Sequence, residues 1–280
     1  MAARQQKKPC GNNNDDKPAI WAGYGKLVRL FRDKAGLTQQ ALADAVQYSY
    51  EQVASIEQGR RPAKAAFTEA AERVLGAGGV LATLQDEVER AKLPSFFQDF
   101  ALIETEAVSR FSYDPLLVPG LLQTEEYARE LFAGHCPQLS EETAEQHVEA
   151  RLNRQKLLTR TPVAELSFVI GEAALRNPLG SATVMREQLQ HLLQQGQLRN
   201  VEVQVMPTVR GFHPGLNGPM VVLETLEHRQ VGYFESQGVG LVISDAAKVS
   251  SLGLRYGKLR SQALNTEESA RLIERIAGEL

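Results

Sequence analysis

Two adjacent guanidinium groups, Arg60 and Arg61, follow Gly59 directly, and fixed cations at such an exit are suited to holding phosphate oxygens. The segment that leads to them, residues 37–61, reads LTQQALADAVQYSYEQVASIEQGRR. It carries two separate start signals for short helices. Thr38 can cap the first, which runs to about Val46, and Ser49 can cap the second, Tyr50 to about Gln58. Leu42, Ala43 and Val46 form one apolar stripe, and Val53 and Ile56 form another. Ala43 is small where the helices must cross closely, and Gly59 ends the second helix. Two capped helices, a turn of three or four residues and a basic exit are the layout of a helix-turn-helix, whose second helix lies in the major groove of DNA. The spacing predicts a regulator of transcription.

Other elements must carry this pair. A preceding helix, Tyr24 to Ala35, points Leu27, Val28 and Phe31 inward, and Gly36 terminates it. Trp21 packs at its entry. Phe67 to Leu75 and Leu81 to Lys92 read as two further helices, with Gly76, Gly78 and Gly79 between them. Residues 1–19 are polar and aperiodic, which predicts a disordered tail or a basic arm grazing DNA. Residues 20–92 then form an all-α DNA-binding domain with its linking helix.

Leu93-Pro94 opens a second domain, 93–280. Helical patterns at 96–107, 125–132 and 140–158 surround a strand at 108–113, with Thr124 and Ser140 as caps. Strands follow at 164–170, 201–206, 219–226 and 230–235, with helical segments at 172–175 and 183–195, and helices 246–263 and 266–279 close the chain. Strands alternating with helices, then a hairpin, predict an α+β fold on one mixed sheet.

At 280 residues with 43% hydrophobic and 23% charged side chains, the chain can bury ordinary cores. No apolar run approaches the ~20 residues of a membrane span, and no apolar stretch follows the N-terminal lysines as a secretory signal requires. Cys10 and Cys136 are too few for a disulfide framework and fit a reduced cytoplasm. Residues 1–75 carry 12 Lys/Arg against 8 Asp/Glu, whereas the rest carries 19 against 26. A basic head on an acidic body suits a DNA reader joined to something that leaves DNA alone.

Arg32 before GLTQ, Ala43, and the pattern SxxxVxxIExGRR are together similar to the Xre/Cro family of repressor domains over about residues 23–76. In the second half, VPGLLQTEEYAREL (118–131), EARLNRQKLL (149–158), GEAALRNPLG (171–180), MREQLQHL (185–192) and VEVQVMP (201–207) resemble the C-terminal domain of WhiJ-like, actinobacterial Xre regulators. That resemblance implies a small protein partner encoded nearby, in an antitoxin-like or developmental pairing. It also implies roles for individual residues. Gln39 would rest on a phosphate, Tyr50, Glu51 and Ser55 would face bases with Gln52 at the edge of that face, and Arg60, Arg61 and Lys64 would meet the backbone. The chemistry agrees: a carboxylate accepts from cytosine N4, a tyrosine packs on a thymine methyl, and a serine bonds several bases. Neither Arg nor Asn is in this set, so part of the specificity is expected from DNA shape.

Two residues depart from the family pattern. Gln47 stands at the turn position usually held by glycine, where a left-handed backbone costs on the order of 1 kcal/mol. Glu51 is acidic in a helix that approaches phosphate. Arg32 and Glu57 fall where the family makes an internal ion pair, and are assigned to structure.

In the second domain, Arg151, Arg154 and Glu172 read as internal salt bridges in preference to the alternative, a binding site. The loop GFHPGLNGP (211–219) lacks the spacing of a phosphate loop and reads as a hairpin-like surface loop with a solvated His213. His and Cys show no metal-ligand spacing, and no nucleophile or metalloprotease motif appears, so neither cofactor, metal nor catalysis is expected. The chain should bind double-stranded DNA as a homodimer, because a single such domain covers too little DNA. Its second domain is expected to bind the protein partner or, alternatively, to sense a small molecule in a pocket between sheet and helices.

Overall fold

The computed structural model describes residues 18–280, so most of the expected tail, residues 1–17, lies outside the described residues. The chain divides into two compact units between Ala91 and Lys92. The first holds helices α1 (Ala19–Lys34), α2 (Gln39–Val46), α3 (Tyr50–Glu57), α4 (Ala65–Leu75), α5 (Val80–Thr83) and α6 (Gln85–Arg90). Its core gathers Trp21, Tyr24 and Val28 from α1, Leu42 and Val46 from α2, and Val53 and Ile56 from α3, closed by Phe67 and Leu81.

Helix α1 begins five residues earlier than the sequence pattern indicates. Pro18 stands just before its first turn, and the indole Nε1 of Trp21 donates to the Val88 carbonyl at 3.1 Å, which ties that turn down. Leu27 and Phe31 are only half-buried. The helix expected at 81–92 is two short ones meeting at Leu84. Gln85 there accepts from Thr68 and donates to the Ala63 carbonyl.

Gly25 of α1 lies against the C-terminal end of α3. A methyl group there would fall 2.2 Å from the Ile56 carbonyl oxygen, which is backbone and cannot turn aside. Gly25→Ala is therefore expected to destabilise the unit by about 1–3 kcal/mol, the range for overpacking. A chemical denaturation midpoint equal to wild type would refute that crossing.

The second unit is built on one six-stranded sheet in the order β3-β2-β1-β4-β5-β6: β1 Ala107–Asp114, β2 Glu165–Gly171, β3 Val201–Met206, β4 Met220–Thr225, β5 Gln230–Ser236 and β6 Val239–Ile243. Strands β1 to β3 are parallel and β4 to β6 antiparallel, so the sheet is mixed, as expected. The remaining helices are α7 (Ser95–Thr105), α8 (Glu125–Ala133), α9 (Glu141–Arg154), α10 (Glu172–Arg176), α11 (Ala182–Gln195), α12 (Ala246–Gln262) and α13 (Thr266–Glu279). On one face α12 packs on Tyr113, Val169, Met220 and Val222. The other face is covered in two parts. Helix α7 lies on Val221, Leu223 and Tyr233, whereas α8, α11 and α13 bury Phe168, Ile170 and Val203.

Strand β6 is absent from the sequence reading. Its hairpin turn is Gln237-Gly238, both with positive φ (51° and 72°), a primed turn without the Asn-Gly signature that announces one. β6 pairs with β5 alone, and Leu241 on it is 57% exposed. Helix α9 also stops earlier than expected, at Arg154, and continues as a 3-10 turn to Leu158.

The 211–219 segment is a crossover from β3 to β4, not a hairpin, because β4 pairs with β1 on the far side of β2. It is pinned inward. Gly215 sits where a side chain would strike the Tyr113 ring, 2.3 Å from Cε1. His213, expected in solvent, is 8% exposed with its ring edge-on to Tyr113 at 6.0 Å.

Candidate nucleic-acid interface

Local chemistry sets α2 and α3. Thr38 Oγ1 accepts from the Ala41 amide at 3.1 Å, and Gln47 ends α2 in the left-handed conformation (φ 60°, ψ 42°). Ser49 Oγ accepts from the Gln52 amide at 3.2 Å while Gln52 Oε1 accepts from the Ser49 amide at 2.9 Å. This reciprocal cap satisfies two amides that a helix start leaves open. Gln52, expected at the edge of the base-reading face, thus uses its carbonyl to hold the helix and keeps only its Nε2 donors for another partner.

Behind the pair lies the buried ion pair anticipated for Arg32 and Glu57. Arg32 Nε and Nη2 donate to the two Glu57 oxygens at 2.6 and 3.1 Å. Arg32 Nη1 reaches the Leu37 carbonyl at 2.8 Å, just before α2. The Glu57 carboxylate bonded to it raises the Arg32 pKa above its ordinary value. The arrangement fixes α1, the start of α2 and the end of α3 in one geometry. Gln39, placed on phosphate by the family pattern, is half-buried and donates Nε2 to Glu57 at 2.7 Å.

Helix α3 buries Val53, Ala54, Ile56 and Glu57 and turns its remaining residues outward. Tyr50 is 45% exposed, Glu51 and Gln52 are exposed and Ser55 is half-buried. Gln58, also exposed, was not singled out from sequence, although Glu51, Ser55 and Gln58 fall at i, i+4 and i+7 along one helical line. It places an amide with two donors and one acceptor beside that line. The Ser55 carbonyl then accepts the amides of Arg60 at 2.8 Å and Arg61 at 3.4 Å, so both basic side chains leave from a fixed turn. Arg60, Arg61 and Lys64 are all exposed.

A helix-turn-helix domain family matches residues 24–84, and a family described as a domain of unknown function (DUF5753) matches residues 97–275. The chain belongs to the DUF5753 family. Neither the curated proteins nor the solved structures contain a match. In this DUF5753 protein the helix-turn-helix match and the geometry around α3 agree on a DNA-binding regulator. No helix among the described residues is long and apolar enough to cross a membrane.

The DUF5753 unit has a second concentration of polar groups, of which the sequence reading singles out Arg151 and Arg154 but not Glu104, Arg110 or Asp114. Glu104 on α7 accepts from Arg110 Nε at 2.9 Å and from Arg154 Nη2 and Nε at 2.7 and 3.0 Å. Burial works against its charge, but Arg154 and Arg110 outweigh burial and hold its carboxyl below the usual range. Arg110, Ser112 and Asp114 share one face of β1, in line with Leu166, Phe168 and Ile170 of β2. Burial lifts the Asp114 carboxyl to about 6 against the pull of Arg110 and of the Ser112 hydroxyl, which donates to it at 2.8 Å. Of the expected internal salt bridges, Arg154 pairs with Glu104 and Glu172 with Arg176 at 2.7 Å. Arg151 instead donates Nη1 to Gln123 at 2.6 Å, with its guanidinium 4.6 Å from the Phe132 ring. No carboxylate pairs with it among the described residues. Burial, aided by Arg154, lowers its pKa to about 10. Between sheet and helices, a cleft of about 210 Å³ opens where Val201 and Val203 of β3 meet Leu192 of α11 and Ile273 of α13.

Proposed function

We propose that this chain is a sequence-specific transcription regulator, not an enzyme, that works in the cytoplasm as a dimer on a two-fold DNA site. The observation that carries this reading is the outward line of α3 ending in a fixed basic turn. In it Tyr50, Glu51 and Ser55 read base edges, with Gln52 at the edge of that face. Gln39, Arg60, Arg61 and Lys64 hold phosphates, Gln39 with the amide proton that Glu57 does not take. Selection of bound sequences from random duplexes tests it. Two half-sites about 34 Å apart, one helical turn, are expected. Enrichment of no sequence at all would sink it. Glu51→Ala should relax the preference at one base pair per half-site by about 1–3 kcal/mol.

For the C-terminal unit two readings have support. The resemblance to WhiJ-like, antitoxin-like actinobacterial regulators implies a small protein partner. Val209, Phe212 and Leu216 stand exposed on the β3–β4 crossover, where such a partner would find apolar side chains. Stoichiometric co-purification of a small protein from the native host tests that reading. The second reading is small-molecule sensing, favoured by the incompletely paired charges around Arg110, Asp114 and Arg151.

A further inference from the structure

Asp114 closes β1 at its carboxyl end, and β1 is the strand at which the sheet order reverses: β2 and β3 lie on one side, β4 to β6 on the other. In open α/β sheets, small molecules bind outside the carboxyl ends of parallel strands. Here β1 to β3 share that direction while β4 runs antiparallel beside β1, so only the β1–β2 side of the reversal has that arrangement. The register brings further groups to the same place. Ser112 stands in line with Val221 and Tyr233, which puts Glu235, two residues on, beside the Asp114 end of that face. Tyr233 donates its hydroxyl to Glu235 at 3.1 Å.

The charges gathered here balance in number but not in pairing. Arg110, Arg151 and Arg154 face Glu104, Asp114 and Glu235, yet Glu104 takes both Arg110 and Arg154. Arg151 is left with an amide, Asp114 with a hydroxyl and Glu235 with a phenol. Arg110 Nη1 is buried with no acceptor at all among the described residues. Glu235 is exposed, but a buried charge bonded only to a neutral group, or a buried donor with no acceptor, is costly, and native structures rarely keep one without a reason. The group is also reachable. Arg154 keeps 15% of its side chain in solvent, and Arg151 and Asp114 are half-buried.

We propose that this mouth at the carboxyl end of β1 binds a small zwitterion of the amino-acid class. Its carboxylate is taken by Arg151 and the open donor of Arg110, and its ammonium by Asp114 and Glu235. A lone anion or a lone cation would unbalance a cluster whose acids and bases already match in number, whereas a zwitterion completes both halves at once. The proposal rests on the small-molecule reading of the C-terminal unit and names the ligand class for it.

The test uses the full-length protein, with thermal melting followed by calorimetric titration against each of the twenty common L-amino acids. At least one is expected to raise Tm by about 5 °C when present at roughly 100 times its Kd. The matching amine and the matching carboxylic acid should each bind at least ten-fold more weakly. Glu235→Gln, an exposed change, and Arg151→Gln should weaken the same titration ten-fold or more. The proposal is overturned if no amino acid binds, if both variants bind as wild type does, or if the simple carboxylic acid binds equally well. DNA affinity of the same samples is read separately by anisotropy. Loss of the regulator reading therefore shows as absent DNA binding, and loss of this one as absent titration heat.

Discussion

Glu104→Ala is expected to lower the stability of the C-terminal unit by about 3–5 kcal/mol, the cost of breaking a buried ion pair from one side. The carboxylate is 3% exposed and is the shared acceptor for Arg110 and Arg154. Without it two guanidinium groups lose the carboxylate that bonds them, one left above the Phe168 ring and one above Phe97. At about 2–4 °C per kcal/mol for a unit of this size, the melting transition should fall by roughly 6–20 °C. Thermal melting followed by circular dichroism on the full chain reads this. Glu145→Ala supplies the contrast, because its pair with Arg129 is exposed on both sides and such pairs contribute about 0–1 kcal/mol. Equal losses in the two variants would mean that Glu104 does not carry the charges assigned to it.

The double change Arg60→Ala and Arg61→Ala is expected to flatten the salt dependence of DNA binding. Each phosphate contact contributes about 0.9 to the slope of log K against log salt, so removing two lowers it by about 1.8 for every bound chain. Because this loss is independent of sequence, affinity for selected and for random duplexes should drop by a similar factor. Anisotropy titrations at several salt concentrations decide the matter. An unchanged slope would leave the two arginines as surface groups with no part in the interface. Folding is not expected to suffer, since both side chains are exposed and it is their backbone amides that tie to Ser55.

Features written within a few residues were legible in the sequence. Thr38, Ser49, Thr124 and Ser140 all cap helices, and Gln47 adopts the left-handed backbone its position demands. In each cap a single side chain acts on an amide three positions away, and such chemistry needs no fold to be read. The Arg32–Glu57 pair spans 25 residues and was reached through family resemblance. The cluster around Glu104 was not legible. Arg110 lies six residues along and Arg154 fifty, on three different elements, and no periodicity links them. His213 misled for the same reason: a polar, glycine-rich stretch reads as surface, but Gly215 lets it dock on Tyr113. The i, i+4, i+7 line through Glu51, Ser55 and Gln58 is written in the sequence, with Gln58 at its end.

The open side of β6 has a practical consequence for anyone handling the protein. Its sequence, VGLVI, holds neither charge nor proline, the devices by which solvent-facing strands avoid sticking edge to edge. Concentrated stocks should therefore cloud through this ribbon first, and a lysine in place of Leu241 should extend their shelf life without touching either unit's core.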